Sequence, residues 1–481
     1  MRIRSGHLSI IVALTLFSLL ASVVSPVKAA AYGTNFTTSI TYQNIGNGTA
    51  TITLDFYNTE TSTPITITLP PLAANAGSSI YVGSLSTVSS GFKGSAVMSS
   101  DQPLVATLVQ VPSTGSPVRS RPLSNSFAQG SSAVRIPTVL KNTFGYTSII
   151  SIQNVDSVGA DLTVEFVPVS GTPFTVTVTN LPPGSAKYYD MGNFSHPNIG
   201  STFNGSLRIT ARKTGTSNPG SIVATSLELG TSNNNAYAFE GITVASDTVY
   251  MPSALCKYYN GMNSFYAVQN VSDFPVDITV SYSNGNSETV TGIAPGAKYS
   301  FKGCGDSGTL NPPLFIGSAT ITASAGGQIA AMAKIQGNSV ATAFPGFTSG
   351  SQYVALPYVR WTDSQWANGA RQRTYLAIQN IGSTDLASGE VKVYYFDKNG
   401  VSKGVHTLGA IPKGGKVNST AKDASSSNTE FGYYSDGTFG GSAIVAGPAG
   451  SQLAVIARVQ SISTGEDYNG FPISAFTPPS P

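Results

Sequence analysis

Charge is scarce in this chain of 481 residues: Asp, Glu, Lys and Arg make up 10% of it, against roughly 25% in an average globular protein. Lys and Arg number 26 and Asp and Glu 23, so the balance is close to neutral. That leaves no basic surface to compete for phosphate, and nucleic acid is not an expected partner. Histidine is rarer still. His7, His196 and His406 are the full set, and none has a second ligand at metal spacing. A Gly-x-Ser-x-Gly elbow is missing too, so a hydrolase would lack both an ordinary base and the usual nucleophile turn. These scarcities point to a protein that is not an enzyme, with no catalytic residue, no metal and no cofactor.

Two near-misses support that reading. Gly303–Gly308, "GCGDSG", satisfies the dinucleotide pattern, but "TLNPPLF" follows, and its prolines prevent the helix that would hold a pyrophosphate. Asp273 and Asp277 in "SDFPVD", and Asp397 with Asn399 in "DKNG", fall short of the carboxylate density of a calcium site; hairpin-turn chemistry accounts for them.

The N-terminus runs from Arg2 and Arg4 through an apolar stretch, Leu8 to Val24, into small residues around Ala29. This is the order of a secretory signal, with cleavage expected after Ala29 or Ala31. The stretch is shorter than the ~20 apolar residues of a membrane span, so no span is expected in the mature chain. Loss of residues 1–29 removes Arg2, Arg4 and Lys28, leaving 23 basic against 23 acidic residues. The two cysteines, Cys256 and Cys304, lie in one stretch of a chain marked for export. Either they form a disulfide or they are two separate small buried residues; export favours the bridge.

What the sequence has in abundance is repetition. Gln-Asn closes a strand-like run at Gln43–Asn44, Gln153–Asn154, Gln269–Asn270 and Gln379–Asn380, at spacings of 110, 116 and 110 residues. Some fifty to sixty residues after each, Gly-Ser opens another strand, at Gly94, Gly205, Gly317 and Gly441, and a small-residue strand follows, such as "IAAMAKIQ". Landmarks in fixed order, four times over, mark tandem duplication. Within a unit the hydrophobic period is two, as in "ATITLDFYN", and turn formers separate the runs. About seven short strands per unit predict four immunoglobulin-like β-sandwiches, an all-β fold, without the Cys…Trp…Cys signature of antibody domains. The boundaries read as a signal at 1–29 and repeats at 30–130, 131–246, 247–350 and 351–481. The asparagines are expected to turn the chain by bonding their own backbone two residues on, and the glycines to allow close strand approach.

Phrases such as "MPSALCKYYNGMNSFYAVQNVSDFPVDITVSYSNG", "IAPGAKYSF" and "GQIAAMAKIQG" resemble the tandem β-sandwich repeats of exported surface proteins in filamentous green non-sulfur bacteria. The resemblance covers essentially the whole mature chain. It implies a secreted, cell-surface or extracellular repeat protein and carries no catalytic residues.

Two segments stand apart. Repeat four opens with an insertion holding both tryptophans, Trp361 and Trp366, with Arg360, Arg371 and Arg373. The indoles either pack into a core or form a platform for glycans or a partner protein. The chain's last phrase, Tyr468 to Pro481, matches three earlier joints that each lead into a further repeat. This tail, with Tyr468, Phe471 and Phe476, either packs as the last edge of domain four or docks on domain one of a neighbouring molecule, building a filament head to tail. The expectation is therefore a rod of four sandwiches, a structural protein that associates with itself or with other surface proteins. An adhesive or carbohydrate-binding role for the tryptophan loop is the rival.

Overall fold

The computed structural model describes residues 30–479, apart from 60, 117, 119, 260, 339, 364–371, 434–439 and 462–463. The first repeat holds β1 (Phe36–Asn44), β2 (Ala50–Asn58), β3 (Ile65–Leu72), β4 (Gly77–Tyr81), β5 (Gly94–Ser100), β6 (Leu104–Pro112) and β7 (Leu123–Asn125). The second holds β8 (Ala133–Lys141), β9 (Tyr146–Asn154), β10 (Ala160–Pro168), β11 (Phe174–Leu181), β12 (Ala186–Asp190), β13 (Phe203–Lys213), β14 (Ile222–Gly230) and β15 (Ala236–Glu240). In the third are β16 (Thr248–Cys256), β17 (Asn263–Asn270), β18 (Val276–Tyr282), β19 (Ser287–Ile293), β20 (Lys298–Lys302), β21 (Phe315–Ala323), β22 (Ile329–Gln336) and β23 (Ala341–Pro345). The fourth runs β24 (Tyr353–Leu356), β25 (Trp361–Thr362), β26 (Arg373–Asn380), β27 (Lys392–Asp397), β28 (Ser402–Thr407), β29 (Lys416–Ser419), β30 (Glu430–Phe431), β31 (Gly441–Ala446), β32 (Leu453–Gln460), β33 (Gly465–Asn469) and β34 (Phe471–Ile473).

Each repeat is a two-sheet antiparallel sandwich, as the period-two pattern requires. In the second, β11-β10-β13-β8 faces β12-β9-β14-β15; the third repeats that layout with β19-β18-β21-β16 and β20-β17-β22-β23. The alternation is direct in β2, where Ala50, Ile52, Leu54 and Phe56 are buried. Units two and three carry eight strands where the sequence suggested seven. The extra strand is the closing one, β15 or β23, whose five-residue length is too short for its pattern to stand out. The expected disulfide joins Cys256, at the end of β16, to Cys304 just beyond β20, with Cα atoms 4.9 Å apart.

The four sandwiches do not form a rod. The closing strands meet at a common centre: β7 contacts β15, β15 contacts β23, β23 contacts β33, and β33 returns to β7. Domain 4 thus touches domain 1 and the ring is closed. The physical reason lies in the sheets that carry the Gln-Asn strand and the small-residue strand. β22 reads buried at its first five positions and β32 likewise, without the alternation of a half-wet sheet. Both faces are covered, one by the domain's own core and the other by the next domain. Ala267, Met332 and Ala343 of domain 3 belong to the core cluster of domain 2. Ala377 and Ile456 of domain 4 likewise join that of domain 3, and Val109 and Leu123 of domain 1 join that of domain 4. Alanine recurs because small side chains let the sheets approach.

X-ray scattering of the mature chain checks the closure. A compact chain of this length has a radius of gyration of about 22 Å; an elongated profile with a much larger radius would contradict the ring.

Candidate functional site

The repeat landmarks converge on one backbone group per domain. After the fourth or equivalent strand turn, Asn75, Gly184, Gly296 and Gly414 adopt positive φ of 60°, 75°, 74° and 74°. Their carbonyls accept the side-chain amide of the domain's own landmark glutamine: Gln43 at 3.4 Å, Gln153 at 3.1 Å, Gln269 at 3.1 Å and Gln379 at 3.2 Å. Three of the same carbonyls also accept a hydroxyl from the preceding domain. Ser95 donates to Gly184 at 2.5 Å, Ser206 to Gly296 at 2.6 Å and Ser318 to Gly414 at 3.1 Å. These serines are the second residue of the Gly-Ser landmark. Its glycine has no room for a side chain: a Cβ on Gly94, Gly205 or Gly441 would collide with the carbonyl oxygen of Tyr57, Val167 or Val359. At the seam between domains 4 and 1, Gly77 N–H donates to the Lys398 carbonyl at 3.3 Å.

The landmark asparagines do what their position predicts, and more. Asn270 Oδ1 accepts the N–H of Ser272, two residues on, at 2.8 Å, while its Nδ2 donates to the carbonyls of Phe274 and Ile293, both at 2.8 Å. Asn44, Asn154 and Asn380 make the same three bonds. Because the group is buried, Asn270→Ala leaves several backbone groups without partners. Its expected cost is about 1–3 kcal/mol, read as a lowered thermal midpoint with hydrogen exchange quickened in domain 3 first.

Each seam also has its own polar set. Between domains 2 and 3, Lys298 Nζ donates to Thr138 Oγ1 at 2.7 Å and Lys334 pairs with Glu228. Between 3 and 4, Arg458 binds Asp467 at 2.7 Å and Ser253 Oγ at 3.3 Å. Arg121 of domain 1 pairs with Glu466 of domain 4 at 3.1 Å, and Tyr32 donates to Asp190 of domain 2 at 2.9 Å. At the centre, the ends of the closing strands, Asn125, Glu240, Pro345 and Asn469, line a cleft of about 240 Å³ with Phe127 and Ile242 among its walls. There Asn125 N–H donates to Glu240, Asn125 Nδ2 to the Asn469 carbonyl at 2.7 Å, and Asn469 Nδ2 to the Pro345 carbonyl at 2.9 Å.

Burial pushes the Glu240 carboxyl up to about 7, against the opposing pull of the Asn125 and Glu240 N–H groups. It pulls Lys298 down to about 7, helped by Lys334 and resisted by Glu228, and Lys416 down to about 7, helped by Arg458. The signs oppose each other. Between pH 4.5 and about 7 the folded state holds a proton on Glu240 that the unfolded chain has lost, so stability falls as pH rises. From about 7 to 10.5 the unfolded chain holds protons that Lys298 and Lys416 have shed, so stability rises again. Thermal midpoints measured from pH 4.5 to 9 should pass through a minimum near neutrality. Glu240→Gln should flatten the acid side and Lys298→Met should weaken the rise on the alkaline side.

The structure places the residues singled out by sequence as follows. Trp366 and Arg371 lie outside the described residues. Trp361 is half-buried; the Arg373 guanidinium lies 4.6 Å from its ring centroid and Tyr375 meets it edge-on. Arg360 is buried, stacked on Tyr358 at 4.5 Å and donating to Gln372 at 3.1 Å. Tyr468 is buried beside it and donates to the Tyr358 carbonyl at 2.8 Å, so one residue of the tryptophan loop and one of the tail share a network. The tail packs as an edge of domain 4. Phe471 pairs with Ala355 as β34 lies against β24, repeating the bonds that Ile242 makes to Arg135 and Phe347 to Tyr250. Phe476 sits among Tyr353, Tyr394 and Phe396, with Val105 of the same chain's domain 1 in the cluster. His196 stacks on Phe174 at 4.3 Å and His406 Nδ1 lies 2.8 Å from Ser419 Oγ. Asp397 accepts the N–H groups of Asn399 and Val401, both at 3.0 Å, as a hairpin-turn residue. The seam residues Glu228, Glu240, Lys298, Lys334 and Lys416 escaped the sequence reading. The one signal was a cation, Lys334 or Arg458, in the middle of a small-residue strand.

No family model matches the chain, and none of the curated proteins matches it. Among solved structures, a tetra-tandem repeat in the extending region of a large adhesion protein aligns over 89% of this chain and 93% of its own, at 13% identity and a TM-score of 0.10, a likeness too slight to argue from.

Proposed function

We propose that this chain is a non-enzymatic structural protein, exported to a cell surface or extracellular assembly, of the kind carried by filamentous green non-sulfur bacteria. The observation that carries the reading is where the repeated residues go. The four Asn landmarks each turn a strand, and three of the four Gly-Ser serines bind one domain to the next. A ring of four welded sandwiches is a rigid block, and rigidity is what a coat or scaffold needs. The leader-like N-terminus and the Cys256–Cys304 bridge fit an oxidising destination.

Self-association through the tail would require stripping β34 from its own domain, so we propose side-by-side contact of whole blocks instead. Glycan binding at the tryptophan loop is less favoured, because the Arg373 guanidinium already lies over the Trp361 ring. Electron microscopy of the exported protein tests the proposal: sheets or regular clusters of four-lobed particles at high concentration are expected. A monodisperse monomer that binds glycans, and loses them in the Trp361→Ala/Trp366→Ala double variant, would replace it with the adhesive reading.

A further inference from the structure

Each joint between repeats places one residue at the centre of the ring. Asn125, Glu240, Pro345 and Asn469 hold the same position in their joints, and all of them line the cleft of about 240 Å³ where the closing strands end. Glu240 is the charged member of the set. The fold does not ask for a carboxylate there, because Asn125 reaches Asn469 and Asn469 reaches Pro345 with neutral amides. Glu240 accepts the N–H of Asn125, a bond that a glutamine would make as well.

What Glu240 lacks is a cation. Among the described residues no lysine, arginine or histidine pairs with it, and the seam cations Lys334 and Arg121 are taken by Glu228 and Glu466. Desolvation raises its proton affinity with no charged group contributing, as expected of a half-buried carboxylate without a counter-ion. Its neighbours add acceptors rather than donors. The side-chain nitrogens of Asn125 and Asn469 are spent on backbone carbonyls, and both Oδ1 atoms are buried without a hydrogen-bond partner. A junction with unmet acceptors and a lone negative charge is short of N–H donors and of positive charge.

We propose that the central cleft binds a primary alkylammonium group, its N–H donors on the Glu240 carboxylate and its carbon stem against Phe127, Ile242 and Val244. An alkylammonium head brings three donors, no acceptor and one positive charge. The walls favour it over a metal ion. Calcium takes about 6–8 oxygen ligands, and this cleft offers one carboxylate. Phe127 and Ile242 are half-buried and Val244 is 59% exposed, so apolar surface stands ready that a carbon stem covers and a bare ion leaves wet. Size limits the occupant, since the cleft is smaller than the ~300–1,000 Å³ of pockets for drug-sized molecules. A free alkylamine and a lysine side chain of another protein share this chemistry. The inference depends neither on export nor on the packing of blocks.

Calorimetric titration of the full mature chain with n-pentylamine tests the site. Saturable binding of one amine per chain is expected, weaker by about tenfold or more for n-pentanol, which lacks the charge, and in Glu240→Gln. Methylamine, which lacks the stem, should also bind more weakly. Hydrogen exchange in domain 2 shows whether Glu240→Gln keeps its fold. Nα-acetyl-lysine N-methylamide separates the sources: binding as tight as that of pentylamine supports a protein side chain, and exclusion supports a free amine. Absence of saturable pentylamine binding at millimolar concentration overturns the proposal. So does equal affinity for pentanol or in a folded Glu240→Gln chain, or displacement of the amine by calcium or potassium ions, because the cleft is then apolar only or a metal site.

Discussion

The ring depends on a carbonyl that faces two ways. A residue at positive φ turns its C=O out of the local ladder, at Asn75, Gly184, Gly296 and Gly414. From inside the domain the landmark glutamine holds that oxygen in place; from outside, in three of the four, a serine of the preceding domain uses its remaining lone pair. A carbonyl has two acceptor positions, and here one serves fold and the other serves assembly. Gly-Ser and Gln-Asn recur together because they are the two ends of one hydrogen-bonded unit. A side chain on the glycine, or loss of the glutamine, would shift the oxygen and loosen a domain and a seam together.

Around that contact the apolar surface does most of the work. A sheet that is apolar on both faces cannot remain at the surface of a single sandwich. β17 and β22 have Ala267 and Met332 on the far side of their own core, and both are buried because domain 2 is there. Extending each core into its neighbour makes separate repeats into one hydrophobic circuit. The polar groups set against it, buried Lys298 and half-buried Glu240 and Lys416, are where desolvation is costly, which displaces their proton affinities.

Much of the single sandwich was legible in the sequence. Alternation in β2, the turn formers and the spacing of Gln-Asn describe local structure, and local structure follows from side-chain period and backbone preference. The backbone bond of Asn270 two residues on could be foreseen for the same reason. Its reach to Ile293 could not, since that partner is 23 positions away. The ring itself was hidden for a physical reason: "IAAMAKIQ" reads the same whether its second face meets another sheet of its own domain or a neighbour. Arg360 and Tyr468 looked like parts of two separate features because nothing in the sequence relates residues 108 positions apart that share Tyr358. The half-covered state of Trp361 depends on Arg373 lying across from it on the paired strand β26, a relation of register rather than of spacing.

The four seams share a plan but not their polar contacts. Lys334 with Glu228 marks one, Arg458 with Asp467 beside Ser253 another, Arg121 with Glu466 the third and Tyr32 with Asp190 the last. Four identical domains could exchange neighbours freely, between chains as easily as within one, and would settle into a mixture of tangled oligomers. Two of these contacts are ion pairs across a seam, Lys334–Glu228 and Arg121–Glu466, and a wrong neighbour at either would leave a buried carboxylate without its cation. The differences that have accumulated between otherwise similar repeats are then what allows one chain to close on itself.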